Sequence, residues 1–265
     1  MQPLGVSATP TLVTTARDEE ERAGRAAAIL DALLAVIFSP ACAACDKPLE
    51  HPSLGPVCGT CWRSILPLTP PLCEVCGDSL ATWCASTVAV RCVRCRRSRP
   101  TIDCARAIGS YEGALRAIVH ALKYEGRRSL ANRLAALMRV RGAEILANAD
   151  CVVPVPLHRS RLRARGFNQA VDLARPLGPP VCHALYRVRA TTAQTGLPAS
   201  RRHGNVRNAF AATGKGHVLK GAIVVLVDDV STTGATLEAC ARALKSHGVR
   251  EVRALTAARA VRPPR

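Results

Sequence analysis

Asp228 and Asp229 stand side by side just ahead of Ser231-Thr232-Thr233-Gly234-Ala235-Thr236. Paired carboxylates can accept hydrogen bonds from the 2′- and 3′-hydroxyls of a ribose, or hold Mg²⁺ through oxygen. The residues behind them supply hydroxyl donors, and Gly234 lets backbone come close to a bound group. A helix starting there would add unpaired N–H groups and the positive end of its dipole, both favourable to an anion. Acids for a sugar, followed by hydroxyls and amides for a phosphate, suit a sugar phosphate. An ordinary strand–turn–helix with a polar cap accounts for one Asp and one Thr, not for the whole series. The stretch is neither a G-x-x-x-x-G-K-[ST] phosphate loop nor a G-x-G-x-x-G dinucleotide fingerprint.

A second chemistry is carried by cysteine, of which the chain has 13. Eight fall in C-x-x-C pairs: Cys42 and Cys45, Cys58 and Cys61, Cys73 and Cys76, Cys92 and Cys95. Two thiolates at this spacing grip one metal from a tight turn, and two such turns complete a tetrahedral Cys₄ site. Pairing in order gives two zinc ribbons, Cys42/Cys45/Cys58/Cys61 and Cys73/Cys76/Cys92/Cys95; crossed pairing is left open by the sequence. One or two structural Zn²⁺ ions follow, because a small Pro-rich segment with few aromatics cannot otherwise bury enough surface. Cys84 and Cys104 are spare. Arg94, Arg96, Arg97 and Arg99 at the end of the second ribbon form either a polyphosphate-contacting edge or a solvated basic surface.

Strands and helices must position these groups. Ala222–Val227 is an apolar β-branched run, the pattern of a central strand covered on both faces, and a helix opens at Leu237 and stops before Gly248. Upstream, Ala105–Tyr111 reads as a strand, Glu112–Leu122 as a helix, Lys123–Arg127 as a basic turn and Ser129–Ala147 as one long helix. Asp150–Pro156 is a strand, and Asn168 caps a helix to about Leu177. Val249–Ala258 is the last strand. Strands separated by helices imply right-handed βαβ crossovers and a parallel sheet, with ligands at the carboxyl ends of the strands. After the strand at 150–156 comes a loop with Arg159, Arg161, Arg163 and Arg165 at alternate positions. Pyrophosphate could neutralise them, since guanidinium binds phosphate in bidentate fashion. Arg187–Phe210 is rich in turn residues and bases, either a loop that closes over a charged ligand or a solvated insertion.

The chain's 265 residues divide into an expected disordered extension (1–24), a helix plus double zinc-ribbon domain (25–100) and an α/β domain (101–262). Arg25–Phe38 reads as an amphipathic helix packed on the domain that follows, with Ile29, Leu30, Leu33, Leu34, Ile37 and Phe38 on its apolar side. The formal charge is +18, from 37 Lys and Arg against 19 Asp and Glu. Such a balance points to polyanionic partners, although an Arg- and Ala-rich composition gives the same count. No basic start with an apolar core and cleavage site is found, and Ala26–Phe38 is too short to span a bilayer. The expected compartment is the reducing cytoplasm.

The segments VVPVPLHRSRLRARGFNQA and LVDDVSTTGAT, with the later Gln194, Arg201-Arg202, Asn205 and Phe210, resemble the ComF (ComFC) family. The cysteine-rich front followed by Tyr111-x-Gly113 and Leu122-Lys123-Tyr124 carries the same likeness, so that it covers about Arg25 to Arg259. The resemblance implies an α/β fold: a parallel-sheet type I phosphoribosyltransferase-like domain preceded by a small Cys₄ zinc-ribbon module. It implies phosphoribosyl pyrophosphate (PRPP) with Mg²⁺ as ligand, and a part in natural competence and DNA uptake. Single-stranded DNA would be a partner, with the inner-membrane uptake machinery as a further one, on the cytoplasmic side or peripheral to the inner membrane. By similarity Asp228 and Asp229 face the ribose, with Lys123 as a third catalytic candidate. Ser231, Thr232, Thr233, Gly234, Ala235 and Thr236 cradle the 5′-phosphate, and Arg161, Arg165, Gly166, Gln169 and Lys123 lie near pyrophosphate. Arg187, Gln194, Arg201, Arg202 and Asn205 belong to a flexible catalytic loop. Two functions stay open: a PRPP-binding protein that serves DNA uptake, or an amidophosphoribosyltransferase-like enzyme of nucleotide metabolism without a direct DNA role. Thr232, where some transferases place an acidic base, is not basic, so no acceptor is named. Few aromatics exist for base stacking, chiefly Trp62, Trp83, Tyr124 and Phe167.

Overall fold

A computed structural model describes residues 23, 26, 28–34, 40–81, 90–189, 208–214 and 219–260. The expected extension (except residue 23), Trp83, Cys84, the loop residues Gln194, Arg201, Arg202 and Asn205, and the tail 261–265 lie outside the described residues. Contacts divide the chain into two units, Met1–Cys58 and Gly59–Arg265.

In the first unit residues 28–34 are helical. Of the expected apolar side, Ile29, Leu30 and Leu33 are exposed and Leu34 is half-buried, while Ile37 and Phe38 lie outside the described residues; Asp31 is buried. A buried carboxylate needs hydrogen bonds. Asp31 accepts one from the Ser53 N–H at 2.7 Å and lies 3.3 Å from His51 Nδ1. The Ser53 amide is the main reason that its carboxyl sits below the usual range. The turn that follows is closed by Cys42 N–H donating to Lys47 O and by Asp46 N–H donating to Cys42 O, with Ala41 bridging Pro48.

The second unit repeats that turn. Cys73 N–H donates to Asp78 O, Gly77 N–H donates to Cys73 O, and Leu72 bridges Ser79. The residue after the second cysteine is left-handed in both copies, Asp46 at φ 58° and Gly77 at φ 68°. Asparagine-like residues and glycine tolerate that region best. Only glycine fits at 77, because a Cβ there would stand 2.5 Å from the Ala105 carbonyl oxygen. Helix α1 (Gly59–Arg63) opens the unit, and α2 (Val93–Ser98) follows the third ribbon cysteine, Cys92.

Beyond the ribbon lies a four-stranded parallel sheet of β1 (Cys104–Ala107), β2 (Cys151–Pro154), β5 (Ile223–Ser231) and β6 (Glu251–Arg259), ordered β1-β6-β5-β2. Helices α3 (Gly113–Tyr124), α4 (Leu130–Arg141), α5 (Ala143–Leu146), α6 (Arg159–Arg165) and α7 (Gln169–Ala174) come between β1 and β2 or after β2. Helix α8 (Ala235–Lys245) connects β5 to β6. Side chains alternate across a strand, so β5 presents Val224 and Leu226 to one face and Val225 and Val227 to the other. The first pair packs with Val153, Val252, Leu237, Cys240 and Leu244. On the opposite face α7 and α4 lie against the sheet. All four β5 residues are fully buried, which is why this strand is uniformly apolar.

Four expectations change. Strand β5 does not stop at Val227 but runs through the acids to Ser231, because β6 is long enough to pair with Asp228, Val230 and Ser231. The Arg159–Arg165 segment is helix α6 and not a loop, started by His158 accepting from Ser160 N–H at 3.2 Å and ended at Gly166. The ends of the expected 187–210 loop form an antiparallel pair, β3 (Leu185–Arg187) with β4 (Phe210–Ala212). The single helix over 129–147 breaks at Gly142, where an added Cβ would meet Leu255 Cδ1 at 2.5 Å and the Met138 carbonyl oxygen at 2.7 Å. Exchanging glycine for alanine usually favours a helix by up to about 1 kcal/mol. Here the clash with a fully buried strand residue should win. Gly142→Ala is expected to destabilise by about 1–3 kcal/mol, the ordinary cost of overpacking, read as a lower urea midpoint at unchanged slope.

Candidate functional site

The two acids leave β5 on opposite faces. Asp229, with 7% exposure, turns toward α3, where Lys123 in the last helical turn brings Nζ to 2.9 Å from its Oδ1. Burial works against a charged Lys123, yet the carboxylates of Asp229 and Asp228 hold its ammonium above the usual lysine value. Asp228 turns to the α8 face, toward Cys240 and Arg187. Removal from water, with the Asp229 charge beside it, pushes the Asp228 carboxyl up to about 7. Asp229 N–H donates to Asp228 Oδ1 at 2.9 Å, so the pair is also tied locally. At neutral pH this end of the strand can therefore accept from hydroxyls or bind a cation at little proton cost.

Ser231 to Gly234 turn the chain from β5 into α8. Gly234 takes φ 78°, and nothing lies within 4 Å of where its Cβ would be, so the glycine is required by the turn and the space beside it is open. Thr233 Oγ1 accepts from Ala235 N–H at 3.3 Å, one residue ahead of Gly234, the N-cap of α8. The first-turn amides of α8 stand behind it, where a phosphate gains most. Residues Ser231 and Thr233 are buried.

The arginines expected near pyrophosphate divide. In a helix, residues four apart share a face, so Arg161 and Arg165 of α6 go together. Arg165 stacks over the Tyr124 ring at 5.4 Å, next to Lys123 in sequence. Arg187 is pushed below its usual value by burial and then by the charge of Arg161, with Asp228 acting in the other direction. Arg187 is thereby near both Arg161 and Asp228, and it also lies 5.2 Å over Phe210. Gly166 closes α6. Gln169 is not at the surface: it is 1% exposed at the start of α7, its Nε2 without a hydrogen-bond partner. Asn168 caps that helix, accepting from Ala170 N–H at 3.0 Å.

The sulfurs of Cys73, Cys76, Cys92 and Cys95 all lie within 4.8 Å of one another, a donor set that fits tetrahedral zinc. Backbone amides already point at them, Cys92 N–H to Cys73 Sγ at 3.3 Å and Cys95 N–H to Cys92 Sγ at 3.4 Å, as thiolate ligands require. In the first unit Cys42, Cys45 and Cys58 gather in the same way, with Cys58 N–H donating to Cys42 Sγ at 3.3 Å. Cys61, one turn further in sequence, is the fourth thiol that the spacing supplies. The spare Cys104 donates to Glu74 O and joins neither set.

Residues 33–96 match the double zinc ribbon domain, and residues 163–263 the phosphoribosyl transferase domain. Competence protein F of Haemophilus influenzae is 31% identical over 84% of this chain and 98% of its own length. The chain belongs to the ComF family. Other similar proteins are DNA utilization protein YhgH of Salmonella typhimurium, 32% identical over 80% of this chain and 93% of its own, and competence protein ComFC of Bacillus subtilis, 27% identical over 72% and 79%. Among solved structures, the glutamine PRPP amidotransferase from B. subtilis aligns over 52% of this chain and 30% of its own at 22% identity and a TM-score of 0.35.

Two residues of this ComF-family chain were not singled out by the sequence, Asp78 and Arg259. Arg94 Nη1 donates to the Thr233 carbonyl at 2.7 Å, while its Nη2 lies 3.3 Å from Asp78 Oδ2. Arg259, 4% exposed at the end of β6, pairs with Asp78 Oδ1 and donates to Ser231 Oγ at 3.2 Å. An acid two residues after a C-x-x-C pair carried no signal, nor did one Arg among many. Among the described residues no helix is long and apolar enough to cross a membrane.

Proposed function

We propose that the chain binds PRPP with Mg²⁺ at the carboxyl end of β5 and serves the handling of incoming single-stranded DNA. The observation that carries the ligand is the juxtaposition of Lys123, Asp229 and Asp228 with the Ser231–Gly234 turn and the start of α8. In this reading Asp228 and Asp229 take the ribose hydroxyls, and the turn with the α8 amides takes the 5′-phosphate. Mg²⁺ would supply charge neutralisation for the pyrophosphate oxygens. Arg187, with Arg161 near it, adds fixed positive charge on the Asp228 side, and Arg165 adds it beside Tyr124. The names of the relatives, competence protein F and DNA utilization protein, support the DNA role.

Calorimetry with Mg²⁺ and PRPP tests the ligand. Asp228→Asn combined with Asp229→Asn should abolish binding; an affinity equal to wild type would mean that the ligand is wrong. A second reading is an active transferase with no direct DNA role. The closeness of Arg187 to both Arg161 and Asp228 favours it, since a leaving pyrophosphate needs such cations. Pyrophosphate release, screened with nucleobases, amines and single-stranded DNA as acceptors, separates a turning-over enzyme from a ligand-gated module.

A further inference from the structure

We propose that the second zinc ribbon sets the shape of the phosphate-binding turn, with Asp78, Arg94 and Arg259 as its positioning residues. The inference rests on the reading of Ser231–Gly234 as the phosphate site, and extends that site to a module the ligand would not touch.

The ribbon is first fastened to the sheet. Ala105 N–H donates to Val75 O at 2.6 Å, and Arg106 Nη1 donates to Glu74 O at 3.1 Å, so the first cysteine turn runs along the edge strand β1. From that fixed edge one carboxylate, Asp78, holds two guanidinium groups. Arg94 comes from between Cys92 and Cys95 and reaches the Thr233 carbonyl. Arg259 comes from the sheet and reaches the Ser231 hydroxyl. Both ends of the three-residue turn Ser231–Thr233 are thus gripped through a single acid.

Polar links matter here because packing does not close the seam. A cavity of about 210 Å³ lies between ribbon and α8, lined among others by Val75, Ile102, Leu237, Arg94, Thr233 and Arg242. With that gap beside it, the turn is held on the ribbon side by directed hydrogen bonds rather than by side-chain contact. Charge-assisted bonds of this kind contribute more than neutral ones, and a planar guanidinium holds two acceptors in a fixed fork where an ammonium is a rotatable point charge. The donors of the turn that face a phosphate are then preset from behind. A ribbon without metal would leave Arg94 unanchored between two free thiols.

The experiment uses the full-length zinc-loaded chain. Arg94→Ala should keep its zinc content and lose PRPP affinity about tenfold to a hundredfold, the range for one hydrogen bond to a charged group. Hydrogen–deuterium exchange of the Ser231–Ala235 amides should accelerate in the same variant, with β5 amides before Asp228 unchanged. Arg94→Lys should recover part of each effect. Should Arg94→Ala shed zinc, Arg94→Lys carries the comparison at full occupancy, with a smaller change in the same direction. Unchanged exchange in the turn would overturn the proposal, whether PRPP affinity stayed the same or fell; a fall alone would make Arg94 a direct ligand contact. Failure of the PRPP reading is seen separately, as no PRPP binding by the wild-type chain, and the exchange comparison still decides whether ribbon and turn are coupled.

Discussion

Lys123→Met is expected to lower the unfolding free energy by about 3–5 kcal/mol, the range for removing one partner of a buried ion pair. Methionine keeps the length of the side chain and takes away the ammonium 2.9 Å from Asp229. Two adjacent carboxyls then remain directly after Val224–Val227, all four fully buried. A chain of this size loses about 2–4 °C of thermal midpoint per kcal/mol, so a fall of about 10 °C is the readout. Its pH dependence runs opposite to that of an ordinary salt-bridged acid. Asp228 is already pushed up to about 7, and losing the ammonium pushes it further. A carboxyl whose folded pKa lies above its unfolded value costs stability at high pH, and that cost vanishes as pH falls through the folded value. The gap between variant and wild type should therefore narrow from about pH 8 to about pH 5.5. Equal midpoints at the higher pH would mean that the pair is solvated and contributes nothing.

Withdrawing zinc should have the larger effect. The second ribbon has almost no core of its own: its buried cluster is Cys73, Val75, Cys76 and Cys95, with Leu80 and Cys92 packed against it. Three of these four buried residues are the proposed ligands. Structural zinc contributes about 10–16 kcal/mol to the folding of comparable small sites, far more than so few apolar groups can. Purified chain is expected to carry up to two zinc ions, and Cys73→Ser with Cys76→Ser should remove one. Chelation should make residues 73–98 susceptible to protease. Metal analysis that finds none would end the ribbon reading, and so would a protease pattern indifferent to the chelator.

Local signals were the legible ones. The C-x-x-C pairs, the Ile223–Val227 run and the acids ahead of Ser231–Thr236 are contiguous, and each element they define is present in the fold. The missed features depend on partners far away in sequence. Strand β5 outruns its apolar run because β6 pairs with Asp228 and Ser231, and nothing in the polar residues themselves marks that. Helix α6 has no apolar stripe, so alternate arginines imitated an extended loop until His158 and Gly166 were found at its ends. The break at Gly142 is imposed by Leu255, and the hairpin of β3 and β4 joins segments more than twenty residues apart. Asp78 and Arg259 meet across 181 residues. Charge arithmetic gave +18 for the chain but could not say which arginine turns inward to a ribbon acid.

Strand β6 comes after β1, β2 and β5 in the chain, yet it belongs between β1 and β5. Until Glu251–Arg259 is synthesised, β1 has no strand partner in the sheet and β5 is bare along one edge, an invitation to pair with other chains. A premature stop codon between α8 and β6 would thus delete the middle of the sheet rather than its margin.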